Sequence, residues 1–303
     1  MECVFFFRLR IMKTSELRRQ LTSTFRENGF ESPELEADYI ASEILHLRGF
    51  ELLLHDSDEL TGPQLEQARD FTRRRLKNEP FQYIFGWTPF RELDLKVGPG
   101  VLIPRPETEF MLDSVLKKLP RNALVCELGT GSGAIALSLA FERPDLQVHA
   151  GEVSPAALHW AELNLSSLQL PNVHLYSGSL FDPFPPDLKF DAVIANLPYI
   201  AEEERAFLAP NVRDYEPPEA LFAPDHGCAL IEQAVREAPE HLDPASAQLF
   251  FEIGETQGER LRKFTLAQGF FTTAEILPDQ YGVPRQLAAR RNQARPDHPD
   301  APR

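Results

Sequence analysis

Cysteine is scarce in this chain of 303 residues, which contains only three. Cys3, Cys126 and Cys228 are far apart and odd in number, and none of them belongs to a CxxC pair. This pattern argues against a disulfide framework and a thiolate metal site, and it is typical of a reducing compartment. We therefore expect a cytoplasmic protein without a metal centre.

Basic residues are also in deficit: 31 Lys and Arg stand against 46 Asp and Glu, which gives a net charge of −15. An acidic chain binds nucleic acid poorly, because that affinity comes largely from Lys and Arg neutralising phosphates. No apolar run approaches the roughly 20 residues that span a bilayer. A Walker loop and a GxSxG elbow are missing too. The sequence thus predicts neither a membrane segment nor a stable nucleic-acid partner.

The chain is long enough for about two domains of roughly 150 residues each. Leu17, Leu21 and Phe25 recur at helical spacing, and Ser32-Pro33 is typical of a helix start. The predicted division is a ragged start at 1–12, a helical domain at 13–78, a β-hairpin linker at 79–105, a larger domain at 106–290 and a disordered tail at 291–303.

The larger domain alternates strands with helices, which favours a mostly parallel sheet covered by helices on both faces. The fold class predicted is therefore α/β and doubly wound. The candidate strands are Leu124–Leu128, Gln147–Glu152, Val173–Tyr176, Phe190–Ala195, Gln248–Ile253, Thr272–Ile276 and Gln286–Arg290.

A glycine loop follows the first of these strands and precedes a helix. In Gly129-Thr130-Gly131-Ser132-Gly133 the glycines allow close approach to a ligand, and the helix start offers free N–H groups. Glu152 ends the second strand, where a carboxylate can accept both hydroxyls of a ribose. The two features predict a nucleoside cofactor and fit a dinucleotide and S-adenosylmethionine (AdoMet) alike. Glu127 favours AdoMet, because that position is usually apolar in dinucleotide enzymes.

The fourth strand ends in Asn196-Leu197-Pro198-Tyr199. Ligands bind at the carboxyl edge of such a sheet, and this rigid turn suits methylation of a planar nitrogen. Asn196 Oδ1 and a nearby backbone carbonyl can accept its two N–H groups, while Tyr199 offers a flat face. Catalysis would come from positioning and electrostatics rather than from a strong base.

With these motifs the chain resembles the HemK/PrmC family, the peptide chain release factor N5-glutamine methyltransferases, over roughly residues 14–290. The glycine loop marks only the wider AdoMet class, whereas the run Ile103–Glu109 beside the other motifs is specific to the family. The motifs that carry the resemblance are 81–86, 101–109, 127–136, 196–199, 216–221 and 279–282.

The resemblance implies a seven-stranded, Rossmann-like AdoMet domain behind a helical domain that helps to recognise the substrate. The substrate implied is the glutamine of a Gly-Gly-Gln tripeptide in release factors 1 and 2, methylated at N5, and we expect a monomeric enzyme. Asn196, Pro198 and Tyr199 are the catalytic residues implied. The substrate-binding set adds Leu197, Pro104 and Arg105, and the cofactor set is Glu127, Gly129, Thr130, Gly131, Gly133, Glu152, Ser179, Leu180 and Asn196.

Two positions depart from the family pattern. The family has Asn-Pro-Pro-Tyr, and Leu197 replaces the first proline. Leu197 keeps the backbone carbonyl but lacks the fixed φ, so we expect retained chemistry in a looser turn. An acidic residue that often reads the adenine edge is also missing, and Ser179 or the Leu180 backbone is the expected substitute.

Four other functions remain open on the sequence. They are glutamine methylation of a ribosomal protein, adenine-N6 methylation of nucleic acid, an NAD-dependent oxidoreductase and a non-catalytic AdoMet-binding protein. The acidic charge and the lack of an evident target-recognition insertion count against the nucleic-acid alternative.

Overall fold

The computed structural model describes residues 12–47 and 51–291, which form two compact units divided between Phe85 and Gly86. The expected disordered tail, apart from Arg291, and the expected ragged start, apart from Met12, lie outside the described residues. Met12 itself is buried and pairs with Leu60. In the part of the chain that is described, none of the helices is both long and apolar enough to cross a membrane.

The first unit is a small helical bundle. A Thr61 capping box with Gln64 begins the fourth helix, and Leu17, Leu21 and Phe25 are buried in the core as their spacing predicts. Its elements are β1 (Met12–Lys13), α1 (Thr14–Glu27), α2 (Pro33–Leu45), α3 (Glu51–Leu54), β2 (Glu59–Leu60), α4 (Gly62–Arg75) and α5 (Phe81–Phe85).

The hairpin occupies only part of the segment predicted as a hairpin linker. Strands β3 (Trp87–Phe90) and β4 (Leu93–Lys96) pair antiparallel, whereas Phe81–Phe85 is the helix α5. The carbonyl of Pro80 accepts hydrogen bonds from the N–H groups of Tyr83 and Ile84. Both side chains are buried, so the aromatic residues at the start of the predicted hairpin linker form a helical turn instead of a strand.

The second unit continues with alternating helices and strands. Glu202–Phe207 and Pro218–Ala220 are short 3-10 helices. The other elements are α6 (Pro106–Lys118), β5 (Leu124–Leu128), α7 (Ala134–Glu142), β6 (Gln147–Glu152), α8 (Pro155–Leu168), β7 (Val173–Ser177), β8 (Ala192–Ala195), α9 (Pro210–Arg213), α10 (Ala229–His241), β9 (Gln248–Glu252), α11 (Gly258–Ala267), β10 (Thr273–Pro278) and β11 (Pro284–Arg290).

The large sheet has seven strands in the order β10-β11-β9-β8-β5-β6-β7, which confirms the predicted α/β class. Strand β11 runs in the opposite direction to the other six strands and pairs antiparallel with both β10 and β9. The first strand of this sheet along the chain is β5, which lies in its interior. The next two strands, β6 and β7, extend the sheet outward on one side, and β8 then pairs with β5 on the other side. Such a reversal of strand order opens a crevice at the carboxyl edge, where ligands bind.

The core consists of one apolar layer on each face of this sheet. Neighbouring residues of β5 alternate between the layers: Val125 packs with α6 and α7, while Cys126 packs with α10 and α11. Cys126 is fully buried, as expected of a core residue in the first strand. Both layers fix the strand ends that carry the polar loops.

Candidate active site

The glycine loop turns sharply between β5 and α7. Gly129, Gly131 and Gly133 all have positive φ, at 70°, 59° and 86°, which side-chain-bearing residues rarely adopt. A Cβ on Gly133 would also lie 2.7 Å from Cδ1 of Leu137, so a larger residue would require that side chain to move. The positive φ angles are the reason that glycine occupies these three positions.

Glu152 closes this loop from the neighbouring strand. Its side chain is buried at the end of β6; Oε2 accepts a hydrogen bond from the Gly131 N–H at 2.9 Å, and Oε1 accepts one from the Ser154 N–H at 2.8 Å. A carboxylate offers about four lone-pair sites, so both oxygens retain capacity for further donors. The residue is thus placed to accept ribose hydroxyls while it holds the loop.

Glu127, in strand β5, holds the loop through two hydrogen bonds. Its Oε2 accepts hydrogen bonds from Thr130 Oγ1 at 2.7 Å and from the Ala136 N–H at 3.0 Å. Burial raises the pKa of Glu127 from its ordinary 4.5 to about 8, and the negative charge of Glu152 adds to the rise, whereas the two hydrogen bonds oppose it. These contacts show that the carboxyl group orients the glycine loop.

Glu127 makes stability depend on pH in a defined direction. Between pH 4.5 and 8 the folded chain keeps a proton on Glu127 that the unfolded chain has lost. The free energy of unfolding contributed by this group therefore falls as pH rises through that window. We expect Glu127→Gln to remove this decline, so that wild type loses stability relative to the variant between pH 5.5 and 7.5.

Urea denaturation at several pH values measures this effect. Both tryptophans, Trp87 and Trp160, lie in the second unit, so their fluorescence reports that unit alone. Exposed Glu162→Gln serves as the matched control. A difference between wild type and Glu127→Gln that does not change with pH would contradict the assignment.

The expected cofactor residues surround one cavity, here called the glycine-loop cavity. Ser179 and Leu180, the expected substitutes at the adenine edge, lie on its wall, and Leu180 has a positive φ of 43°. Gly133 is not on the wall, because it begins α7 behind the loop. The expected residues that line the cavity are Glu127, Gly129, Thr130, Gly131, Glu152, Ser179, Leu180 and Asn196.

A second cavity, here called the turn cavity, adjoins the first at the end of β8. Asn196 and Leu197 line both cavities. Leu197 is buried, and its Cδ2 lies 3.3 Å from the position a Cβ would take on Gly129, so it packs against the glycine loop. Of the other expected substrate residues, Arg105 and Tyr199 line the turn cavity, while Pro104 and Pro198 line the glycine-loop cavity.

A hydrogen-bonded chain of side chains connects the two ends of the turn, and within it Thr108 lines the glycine-loop cavity and Glu252 the turn cavity. Asn196 Nδ2 donates to Thr108 Oγ1 at 3.0 Å, and Thr108 Oγ1 donates to Glu252 Oε2 at 2.6 Å. The Tyr199 hydroxyl donates to the other carboxyl oxygen of Glu252 at 3.0 Å. Burial raises the pKa of Glu252, and burial beside Glu252 raises the pKa of Tyr199 far above its ordinary range, so the phenol stays protonated.

The backbone of Tyr199 is held from another direction. Gln257 Nε2 donates to the Tyr199 carbonyl at 2.7 Å and to the His226 carbonyl at 2.9 Å, and Gln257 Oε1 accepts from the Gly254 N–H. Gly227 lies directly against the same Tyr199 carbonyl. The aromatic end of the turn is therefore clamped by a segment that precedes α10 and a segment that follows β9.

Arg105 is anchored by a buried carboxylate. It forms a salt bridge with Glu216, whose side chain is fully buried and whose Oε2 also accepts from the Ile103 N–H at 3.0 Å. Glu216 thereby fixes the 103–105 segment along both cavities. The sequence singled out this glutamate only as part of a family motif, without a role.

Thr108, Glu252, Gln257 and Gly227 are the site residues that sequence reasoning missed. Thr108 lies inside the run 101–109 already singled out, and Glu252 lies one residue before the end of the predicted strand Gln248–Ile253 and ends the observed strand β9. Such placement was an available signal for the first two residues. Gln257 and Gly227 lie in loops with no comparable pattern.

Comparisons with known proteins find a related domain in each unit. The PrmC N-terminal domain family matches residues 16–86, and the methyltransferase small domain family matches residues 106–211. A release factor glutamine methyltransferase of Geobacter sulfurreducens is 36% identical over 266 residues, which is 87% of this chain and 92% of that protein. One of Bifidobacterium longum is 38% identical over 294 residues, or 92% of this chain and 99% of that protein.

Among solved structures, a methyltransferase from Pyrococcus furiosus has a TM-score of 0.50 at 18% identity, with 74% of this chain and 96% of that chain covered. This similarity shows the fold, while the domain match and the named relatives identify an AdoMet-dependent methyltransferase, which decides against the dinucleotide cofactor that the glycine loop had left open. Relatives more than 30% identical span most of the sequence. The chain belongs to the family of release factor glutamine methyltransferases.

Proposed function

We propose that this protein methylates the side-chain amide nitrogen N5 of the glutamine in the Gly-Gly-Gln motif of release factors 1 and 2. The observation that carries the proposal is the meeting of the two cavities at Asn196 and Leu197. A donor in the glycine-loop cavity and a glutamine side chain in the turn cavity would meet along this shared wall, to which Leu102 and Ala220 also contribute. The names of the relatives supply the substrate class.

The glycine-loop cavity fits AdoMet, which supplies an electrophilic methyl group on a sulfonium. Gly129, Thr130 and Gly131 would hold its methionine part against the loop, with Gly133 behind them setting the start of α7. Glu152 would accept the ribose hydroxyls. Ser179 and the Leu180 backbone would face the adenine edge.

Asn196, Pro198 and Tyr199 are the proposed catalytic residues. Asn196 Oδ1 and a backbone carbonyl of the turn, such as that of Leu197, would accept the two N–H groups of the glutamine amide. This arrangement aligns the nitrogen with the methyl group and lets its lone pair localise during transfer. Pro198 stiffens the turn, Tyr199 packs flat on the amide, and Pro104 and Arg105 border the substrate.

We further propose that the enzyme acts in the cytoplasm, as a monomer and without a stable nucleic-acid partner. The acidic net charge of −15 and the burial of free Cys126 and Cys228 support this setting. The helical first unit, which matches the PrmC N-terminal domain, is the proposed substrate-recognition domain.

A methyl-transfer assay with labelled AdoMet tests the proposal. The acceptors are a release factor with intact Gly-Gly-Gln, its Gln→Ala version, a ribosomal-protein fraction and double-stranded DNA. We expect label on the intact release factor alone. Label on the ribosomal fraction or on DNA instead would replace this proposal with one of those substrates, and no transfer despite AdoMet binding would indicate a non-catalytic protein.

Leu197→Pro tests whether the departure from the family pattern matters. Proline would restore the fixed φ and keep the carbonyl, so we expect the methylation rate to stay the same or to rise. Leu197→Ala, which changes the side chain without fixing φ, is the matched control. Initial rates at saturating AdoMet measure both, and a lower rate for Leu197→Pro would show the interpretation of this position to be wrong.

A further inference from the structure

We propose that Thr108 and Glu252 are positioning residues that set the orientation of the Asn196 amide. In this orientation the amide oxygen Oδ1, rather than the NH2 group, is left for the substrate. The inference rests on the proposed function, because it concerns how Asn196 receives a glutamine amide. Neither residue touches the reacting atoms in this assignment.

The direction of each hydrogen bond follows from counting protons. A threonine hydroxyl has one proton to donate, and Thr108 gives it to Glu252 Oε2 at 2.6 Å. Glu252 Oε1 is already the acceptor for the Tyr199 hydroxyl. With both oxygens of the ionised Glu252 acting as acceptors, Thr108 Oγ1 accepts from Asn196, and the group that faces it at 3.0 Å is Nδ2.

This orientation decides whether the site can accept its substrate. The reacting glutamine amide presents two N–H donors, and a nitrogen that is to attack a methyl group must keep its lone pair clear. Rotating the Asn196 amide by half a turn would set NH2 against NH2, which leaves donors unpaired on both sides. An unpaired polar group in a site closed to water costs roughly 1–3 kcal/mol.

Burial makes the arrangement hard to replace. Thr108 is 3% exposed on the wall of the glycine-loop cavity and Glu252 is 1% exposed on the wall of the turn cavity, so an occupied site leaves little room for water to substitute for a lost partner. Glu252 also joins Asn196 and Tyr199, the two ends of the turn, through one carboxyl group. The carboxyl group therefore fixes the polar and aromatic ends of the turn together.

The decisive variants are Thr108→Val, which keeps the shape and removes the hydroxyl, and Thr108→Ser, which restores the hydroxyl. Thr265→Val is the matched control, since Thr265 is equally buried and its hydroxyl bonds only to the Leu261 carbonyl within α11. We expect Thr108→Val to lower kcat about 10- to 100-fold, the range for groups that orient a ligand-binding side chain. AdoMet affinity should stay within about threefold of wild type, because valine keeps the shape of the cavity wall to which Thr108 contributes. Thr108→Ser should recover most of the rate.

A second measurement does not depend on activity. The side-chain NH2 signals of Asn196, identified by their loss in Asn196→Ala, should be protected from solvent exchange in wild type and Thr108→Ser but not in Thr108→Val. Unchanged signals in Thr108→Val, or a serine variant as impaired as the valine one, would overturn the inference. A wild-type enzyme that does not methylate release factors would instead refute the proposed function, while the NH2 signals still test the orientation.

Discussion

Replacement of Asn196 by alanine is expected to lower kcat for methylation of a release factor by about 10²- to 10³-fold, the usual effect of removing one preorganised polar contact at a reacting group. The reason is the position of Asn196, which lines both cavities and carries the acceptor oxygen proposed for the glutamine amide. Without that oxygen, one amide N–H has no partner, and the nitrogen loses its alignment with the methyl group.

AdoMet binding should change by only a few-fold in the same variant. Most of the expected cofactor contacts come from the glycine loop and Glu152, which Asn196→Ala leaves in place. Single-turnover transfer of labelled methyl, with equilibrium dialysis of AdoMet, separates the two effects. Gln268→Ala is the control, because this exposed amide of the second unit lines neither cavity. A variant that binds AdoMet normally and still methylates at the wild-type rate would remove Asn196 from the reaction.

Local patterns were sufficient to predict the strand ends that carry the site. Leu124–Leu128 and Gln147–Glu152 have the predicted bounds, because short apolar runs ending in glycine or a carboxylate define a buried strand and its edge. The glycine loop and the Asn196 turn lie on the neighbouring strands β5 and β8. Their adjacency followed from the strand order of the fold class rather than from any single residue.

Contacts between distant parts of the chain were beyond such reasoning. Thr108 and Glu252 are 144 positions apart, and neither residue alone suggests a bond to the other. Arg75 shows the same limit in the first unit. It belongs to a basic run that is typical of a solvated helix face, yet it pairs with Glu36 and stacks over Phe30 and Phe81. Charge patterns do not reveal whether a partner from another helix is present.

Gly227→Ala is the second substitution with a large expected effect. Gly227 has a φ of +80°, and an added Cβ would lie 1.9 Å from the Tyr199 carbonyl oxygen and 2.6 Å from Gln257 Nε2. Those are the two partners that clamp the aromatic end of the turn. The methyl group must displace Tyr199, and a shift of about 1 Å at a reacting site can cost about 100-fold in rate. We therefore expect kcat to fall by about that factor.

A second glycine with a similar φ separates the effect of backbone strain from the effect of the steric clash with Tyr199. Gly269 has a similar φ of +73°, but nothing lies within 4 Å of its added Cβ. Gly269→Ala should therefore lose only the roughly 1–2 kcal/mol of a left-handed alanine and keep its activity. Gly227→Ala should lower the free energy of unfolding by at least as much as Gly269→Ala does, and it should also lower the methylation rate. Urea denaturation followed by tryptophan fluorescence, with single-turnover rates under conditions where both variants are folded, makes the comparison. Equal rates for the two alanine variants would show that the Tyr199 carbonyl tolerates displacement, and the clamp formed by Gln257 and Gly227 would then have no part in positioning the substrate.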